Sequence, residues 1–303
     1  MNNRIACVGN VTNDRLLSVG ELPELDDVAY VNKSVNCMGG RGGIVALTLG
    51  RLGAEVDLVT ELPATDEAKQ YLSFLEENGV GTEAVGLDTN AKEFHEVFVA
   101  ISAIERNCIS FFKPGDVCFN ASPNQSSIVQ ASSIAYFSTH KRSLNLSLLE
   151  AVDPLATNVI HNVSGYLTQD DIYRATMLER SSYLICNSLE AEALLKAERV
   201  ERIDELIAQT PGLKTVFVTH GEDGSTAYED GLGTQTFVAH PCPIVAPVGA
   251  GDAFAAGIVY GVSREWNTAQ TVPFASKLAA LSVASSTSYP DLDAVSKLIE
   301  SEV

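Results

Sequence analysis

Residues 182–220 read SYLICNSLEAEALLKAERVERIDELIAQTPGLKTVFVTH. The stretch opens on an apolar run, SYLICN (182–187), passes into a helical segment that starts around Asn187 and Glu190, and returns to an apolar run at TVFVTH (215–220). Short apolar runs of this kind are buried strands, and a strand, a helix and a second strand in succession form a parallel crossover unit. The pattern extends towards the N-terminus, with strand-like runs at RIACVG (4–9), EVDLVT (55–60), SIAYFS (133–138) and NVIHNV (158–163). Amphipathic helical segments lie between them: GGIVALTLGRLG, ending at Gly53, DEAKQYLSFLEENG, ending at Gly79, and TQDDIYRATMLE, for which Thr168 and Asp171 form an expected capping box. Strands alternating with helices predict an α/β fold, with a mostly parallel central sheet covered by helices on both faces.

Two stretches break the alternation, residues 15–36 and residues 94–112. In the second, HEVFVAISAIERNCISFF (95–112) reads as two strands joined around Glu105 and Arg106. The two stretches are expected to pair into a small separate sheet. Residues 113–127, KPGDVCFNASPNQSS, are polar and turn-rich and read as a long loop. After residue 250 the chain reads as almost wholly helical, through DAFAAGIVYGV and TVPFASKLAALSVAS.

Composition narrows the partners. The 303 residues carry 39 acidic and 20 basic side chains, a net charge of −19 that would repel a nucleic-acid backbone. No apolar run approaches the roughly 20 residues that span a bilayer, and MNNRIACVGN is too short in apolar length for a signal peptide, so the expected setting is the cytoplasm, without a membrane partner. Six scattered cysteines, Cys7, Cys37, Cys108, Cys118, Cys186 and Cys242, show neither CxxC pairing nor a nearby His at ligand spacing, and are expected to be reduced thiols. An acidic chain that binds a polyanion needs local positive potential, from helix N-termini, Mg²⁺ or a few Lys and Arg.

The strongest candidate for such a site is PVGAGDAFAAGIVYG (247–261), where Gly249, Ala250 and Gly251 run into a helix whose first turn holds Asp252. Successive N–H groups at such a start converge on an anion, and an adjacent carboxylate can take the proton of an attacking hydroxyl. Read on its own, the segment is equally a loop with a helix-starting Asp. GAGDAF is not a dinucleotide fingerprint, because it lacks the third Gly, the preceding N-terminal strand and the later acidic residue. MGGRGGIVALTLGRLG places Gly39, Gly40 and Arg41 before a helix, either as a pocket wall or as a turn. Asp14, in CVGNVTND, follows the first strand, either as a ligand for sugar hydroxyls or as a turn residue. Asn187 and Glu190 are either a helix cap or a water-mediated Mg²⁺ site. VTHGEDGS reads as a hairpin whose Thr219, Gly221 and Gly224 are able to approach a nucleotide.

In order and spacing these segments resemble the ribokinase-like carbohydrate kinase family, also called PfkB, over nearly the whole chain. GNVTND is similar to its substrate-binding Asp segment, GGRGGIVALTLGRLG to its first signature, NSLEAEALL to its Asn-x-x-Glu element, VTHGEDGS to its nucleotide-side strand, and PVGAGDAF to its second signature. The resemblance implies a three-layer α/β/α sandwich, formed by residues 1–14, 37–93 and 113–303, with a β lid formed by residues 15–36 and 94–112. It implies transfer of the γ-phosphate of ATP to a hydroxyl of a small sugar or nucleoside. Asp252 is then the general base, Gly249, Ala250 and Gly251 the anion hole, and Asn187 and Glu190 the organisers of Mg²⁺ and phosphates, Glu190 through water. Thr219, Gly221 and Gly224 fall on the ATP side, and Asp14, Gly39, Gly40 and Arg41 on the acceptor side. AIERNCISFFKPGD and VTHGEDGS look more like adenosine-kinase-type members than ribokinase itself, which leans the acceptor towards a nucleoside. An apolar outer face on the lid would make a homodimer through it natural.

Three departures qualify the resemblance. Ile44 stands where the family usually has a hydroxyl-binding Asn, with Asn10 and Arg41 as substitutes for that contact. Ala246 and Pro247 replace the Asp-Thr that begins the second signature, which puts a monovalent cation in doubt. Asp66, in ELPATDEA, is a poor match to the family's Gly-x-Asp segment. These departures also motivate a different class, a non-catalytic protein of this fold that binds a nucleotide or metabolite as a regulator.

Overall fold

A computed structural model describes residues 3–102, 104–105, 107–117, 120–138, 142–164 and 167–302. Arg106, on which the expected lid turn is centred, and Cys118 lie outside the described residues. The chain runs through β1 (Ile5–Val8), β2 (Thr12–Val19), β3 (Val31–Gly39), α1 (Arg41–Arg51), β4 (Val56–Pro63), α2 (Asp66–Glu77), β5 (Val80–Gly81), β6 (Val85–Asp88), β7 (Glu96–Ser102) and β8 (Cys108–Lys113). It continues through α3 (Pro123–Ala131), β9 (Ile134–Phe137), α4 (Arg142–Ala151), β10 (Asn158–Asn162), α5 (Asp171–Arg180), β11 (Tyr183–Asn187), α6 (Ser188–Glu198), α7 (Ile203–Gln209) and β12 (Thr215–Thr219). The hairpin strands β13 (Ser225–Glu229) and β14 (Gly233–Phe237) precede α8 (Ala250–Ser263), α9 (Thr268–Val283) and α10 (Leu292–Glu302).

The main sheet has the order β14-β13-β12-β11-β10-β9-β1-β4-β5, with β6 beside the far half of β4. From β12 to β5 every pairing is parallel, and only β13 and β14 run antiparallel. The alternating apolar strands and helices of the sequence thus fold as the expected α/β sandwich. All four β1 residues are fully buried. Ile5 and Cys7 pack under α1, α8 and α9, and Ala6 and Val8 under the opposite layer that includes α4 to α7. A strand buried on both faces has no need of polar alternation, which is why these strands read as continuous apolar runs. Each fully buried Leu, Ile or Phe here contributes about 1.5–3 kcal/mol through removal from water. Because β1 lies between β4 and β9, the chain reverses its direction of travel across the sheet there. The crevice at the carboxyl ends of β1 and β9 is therefore the topological switch point, where open α/β sheets bind ligands.

The second sheet has the order β3-β2-β7-β8. Asp14 lies inside its first strand, on β2, rather than in a turn after β1. Transverse rows of its residues face the main body: Cys37, Asp14, Val97 and Phe112 in one, Val35, Leu16, Val99 and Ser110 in the next. Leu16, Cys37, Val99 and Ile101 form a small core with Ala246 of the segment before α8, so the lid rests on the approach to that helix.

Two local expectations fail. Helix α5 is capped by Asp170, whose side chain accepts from the N–H of Tyr173, and not by Thr168. Residues 167–169 form a separate 3-10 turn, so two acidic residues in succession shift the true cap by two positions. The supposed long loop at 113–127 already contains the start of α3, where Ser122 and Gln125 form a reciprocal capping box followed by Pro123 at the first helical position.

Beneath α4 and α5, Tyr173 Oη lies 2.6 Å from His161 Nε2 and accepts from Asn145 Nδ2 at 2.7 Å. Burial lowers the His161 pKa to about 3, so the ring is neutral and shares a hydrogen bond with Tyr173 Oη. Tyr173→Phe removes the oxygen shared by the buried His161 Nε2 and Asn145 Nδ2, and urea denaturation should show a loss of about 1–3 kcal/mol in stability. An unchanged unfolding midpoint would mean that the network contributes nothing.

Candidate active site

Helix α8 begins at the switch point. Gly249 is its N-cap, with φ 75° and no capping side chain. A Cβ at this position would lie 1.8 Å from the carbonyl oxygen of Ser288, so only glycine lets the chain turn here. The first intrahelical bond runs from Ala253 N–H to Gly249 O at 2.9 Å, which leaves the N–H groups of Ala250, Gly251 and Asp252 directed out of the helix start. Space is open where a Gly251 side chain would project. These are the requirements of an anion hole.

Asp252 occupies the first turn of α8, half-buried at the floor of the crevice. Loss of solvation pushes its carboxyl up to about 6, with Arg41 opposing the shift and the negative charges of Asp14 and Glu190 adding to it. Residues far apart in sequence, 14, 41, 190 and 252, thus share one electrostatic environment. Arg41 is the first residue of α1, where a cation opposes the helix dipole and gains nothing for helix stability. Its guanidinium instead bonds Glu190 Oε1 at 3.3 Å and the Val163 carbonyl at 3.4 Å.

The Asn187 and Glu190 pair is a complete capping box: Glu190 N–H donates to Asn187 Oδ1 and Asn187 N–H donates to Glu190 Oε2, each at 2.9 Å. The cap orients the Glu190 carboxylate so that its other oxygen meets Arg41. Among the described residues no group of three or more His, Cys, Asp or Glu is placed to hold a metal ion. One largely buried carboxylate, already paired with Arg41, suits a Mg²⁺ ion that arrives on a nucleotide with its own waters, and does not suit a resident all-protein site.

Asp14 is buried, with 3% of its surface exposed. Its Oδ2 accepts from the Ser288 hydroxyl at 2.6 Å and its Oδ1 from the Thr12 hydroxyl. A side chain at Gly39 would collide with this carboxylate, 2.0 Å from Oδ2, so Gly39 serves close packing on Asp14 rather than a pocket wall in its own right. Gly40 is the N-cap of α1. Thr219 ends β12 directly opposite Asn187, and Gly221 and Gly224 flank the 3-10 turn of the following hairpin. These three residues share the sheet end with the acidic cluster, joined to it through the β11–β12 pairing.

Ile44 is buried within α1, with 2% of its surface exposed. Asp66 starts α2 and pairs with Lys69 at 2.8 Å on the surface, away from the crevice. The methyl group of Ala246 lies in the apolar lid contact and supplies no oxygen to a monovalent cation. Sequence reading passed over Thr12 and Ser288. Thr12 was detectable, because residues two apart on a strand share a face; Ser288 carries no local signature. A cavity of about 460 Å³ opens around Tyr183, Lys214 and Trp266, at the opposite end of the strands from these convergent groups.

A profile of the pfkB family carbohydrate kinases matches residues 2–294. A 5-dehydro-2-deoxygluconokinase of Clostridium botulinum is 24% identical over 281 residues, covering 87% of this chain and 83% of the relative. A nucleoside kinase of Methanothermobacter thermautotrophicus is 26% identical over 284 residues, covering 92% of this chain and 89% of the relative. The solved structure of Burkholderia thailandensis nucleoside kinase in complex with inosine superposes with a TM-score of 0.81 at 20% identity, covering 99% of this chain and 97% of that one. The chain therefore belongs to the pfkB family, as a sugar or nucleoside kinase that passes a phosphoryl group to a hydroxyl acceptor.

Proposed function

We propose that the chain transfers the γ-phosphoryl group of ATP to a hydroxyl of a nucleoside, with Asp252 as general base. The observation that carries this reading is the desolvated Asp252 carboxylate beside an uncapped helix start, within the field of Arg41. The acceptor hydroxyl would donate to Asp252, which takes the proton as the oxygen approaches phosphorus. The N–H groups at Gly249, Ala250 and Gly251 would receive the charge on the transferring group. Arg41 would face the phosphates, and Glu190 and Asn187 would meet the water shell of the nucleotide's Mg²⁺, whose charge offsets that of the phosphates. Thr219, Gly221 and Gly224 would border the nucleotide. A cytoplasmic setting, where ATP is supplied, suits this reaction.

Support for a nucleoside comes from the lid. Asp14 and Phe112 stand in the same transverse row, two strands apart, and adjacent strands are about 4.8 Å apart. A ribose at Asp14 would therefore place a base about 10 Å away, against the Phe112 ring. Leu16, Val97 and Val99 make the intervening face apolar. The buried Ile44 offers no hydroxyl contact, which favours an acceptor held by shape and stacking over a sugar held by many hydroxyl groups. The lid's other face presents Leu17, Phe98, Ala100, Ile109 and Phe111, with Phe111 62% exposed. A second copy of the chain is the cover we propose for it.

Asp252→Asn should lower turnover by a factor of about 10² to 10⁴, measured as ATP consumption over a panel of nucleosides and sugars. Nucleotide binding without turnover by the unaltered protein on any acceptor would instead favour a regulatory binding protein. Because Asp252 acts as the anion, kcat/KM should fall as pH drops through about 6. Arg41→Gln removes the cation that favours ionisation and should move this acid limb to higher pH; a limb near the ordinary carboxylate range would contradict the assignment. Phe112→Ala should raise KM for a nucleoside about tenfold through loss of stacking and leave KM for a free sugar unchanged. In sedimentation analysis the protein should be a dimer, and Phe111→Glu a monomer.

A further inference from the structure

Ser288 is fully buried, and it touches both the acceptor-side carboxylate and the phosphate-side turn. Its hydroxyl donates to Asp14 Oδ2 at 2.6 Å, and receives the Cys37 thiol at 3.6 Å. Its carbonyl oxygen abuts Gly249, 1.8 Å from where a Cβ would stand. Just before it, the last turn of α9 is strapped to the segment before α8. Val245 and Ala246 N–H groups donate to Val283 O at 2.9 and 3.0 Å, and Ser282 Oγ donates to Val248 O at 3.3 Å. Movement of residues 283–288 would thus displace the anion hole and Asp14 together.

We propose that Ser288 is a positioning residue that keeps Asp14 ionised and aimed at the acceptor, in register with the phosphate-binding turn at Gly249. The proposal rests on the kinase reading. The surroundings of Asp14 leave little else to do this. Cys37 on β3 and Tyr71 on α2 face it, and burial pushes both up in pKa, so that they are neutral. Asp252 on α8 faces it with like charge, and Val97, its partner on β7, is apolar. Burial pushes the Asp14 carboxyl up, and the hydroxyl groups of Ser288 and Thr12 are what pull it back. A carboxyl that gains a proton loses acceptor capacity, so loss of the Ser288 hydroxyl would weaken acceptor binding first.

The test uses full-length protein carrying ¹³C-carboxyl aspartate, with the Asp14 resonance assigned by its absence in Asp14→Asn. In Ser288→Ala, and in Ser288→Gly as a second variant that removes the same hydroxyl, the Asp14 titration midpoint should move to higher pH. KM for the acceptor should rise about tenfold at neutral pH while KM for ATP stays within about twofold. A folded variant with an unmoved midpoint overturns the inference, as does a moved midpoint with unchanged acceptor KM. Absence of turnover by the unaltered protein sinks the kinase reading instead, and the titration, which needs no substrate, still decides whether Ser288 controls Asp14.

Discussion

One guanidinium faces two carboxylates in the crevice above β1, and a third, Asp14, acts on one of them. Arg41 bonds Glu190 directly, and its charge acts on Asp252 against the combined effect of Asp14, Glu190 and lost solvation. The site therefore carries an excess of negative charge in poorly solvated surroundings, a state that low dielectric makes expensive. A nucleotide adds more negative charge to the same place. The fold answers with groups that bring positive potential without a side-chain cation: the uncapped start of α8 and the N–H groups behind it. A net charge of −19 over the whole chain offers no general attraction for ATP, so attraction has to be local. This requirement explains why α8 begins on a glycine turn and why Arg41 stands at a helix position where it does not help the helix.

On the proposed reading, the same imbalance gives Asp252 its chemistry. A carboxylate held near the ordinary pKa would be a weak acceptor for a hydroxyl proton, whereas one pushed up to about 6 is still ionised at neutral pH and a better base. Asp14 shows how a neighbouring carboxylate is managed differently. It is buried, and two hydroxyl groups bond it, one at each carboxylate oxygen. On the proposed reading, two carboxyl groups in one crevice are given different work by their surroundings, one to move a proton and the other to hold an acceptor.

The sequence made the α/β class legible because buried parallel strands leave continuous apolar runs, such as ICN and VFVT, that few other settings permit. It made Asp252 and the glycines before it legible as a candidate site, because small residues in succession at a helix start leave its N–H groups open. The Asn187–Glu190 segment was legible as two alternatives, and its geometry realises the cap while presenting the carboxylate to Arg41. Ser288 was invisible, since its partners Asp14 and Gly249 lie 274 and 39 residues away and nothing in VASSTSYP marks a contact of that range. The cap of α5 was misread because Thr168 and Asp170 both fit a local rule, and only the 3-10 turn at 167–169 decides between them. Ile44 and Ala246 were recognisable as departures, but their consequence, an apolar seat for the lid at Ala246 and a buried side chain at Ile44, depends on packing across sequence distance.

The central claim is that the start of α8 receives the transferring phosphoryl group and that Asp252 faces the acceptor oxygen. A crystal structure with a non-hydrolysable ATP analogue and the acceptor would test it most directly. The account predicts the terminal phosphate within hydrogen-bonding distance of the N–H groups at Gly249, Ala250 and Gly251, with a carboxylate oxygen of Asp252 within about 3.2 Å of an acceptor hydroxyl. A terminal phosphate bound elsewhere, or an Asp252 carboxylate turned away from every acceptor hydroxyl, would contradict it.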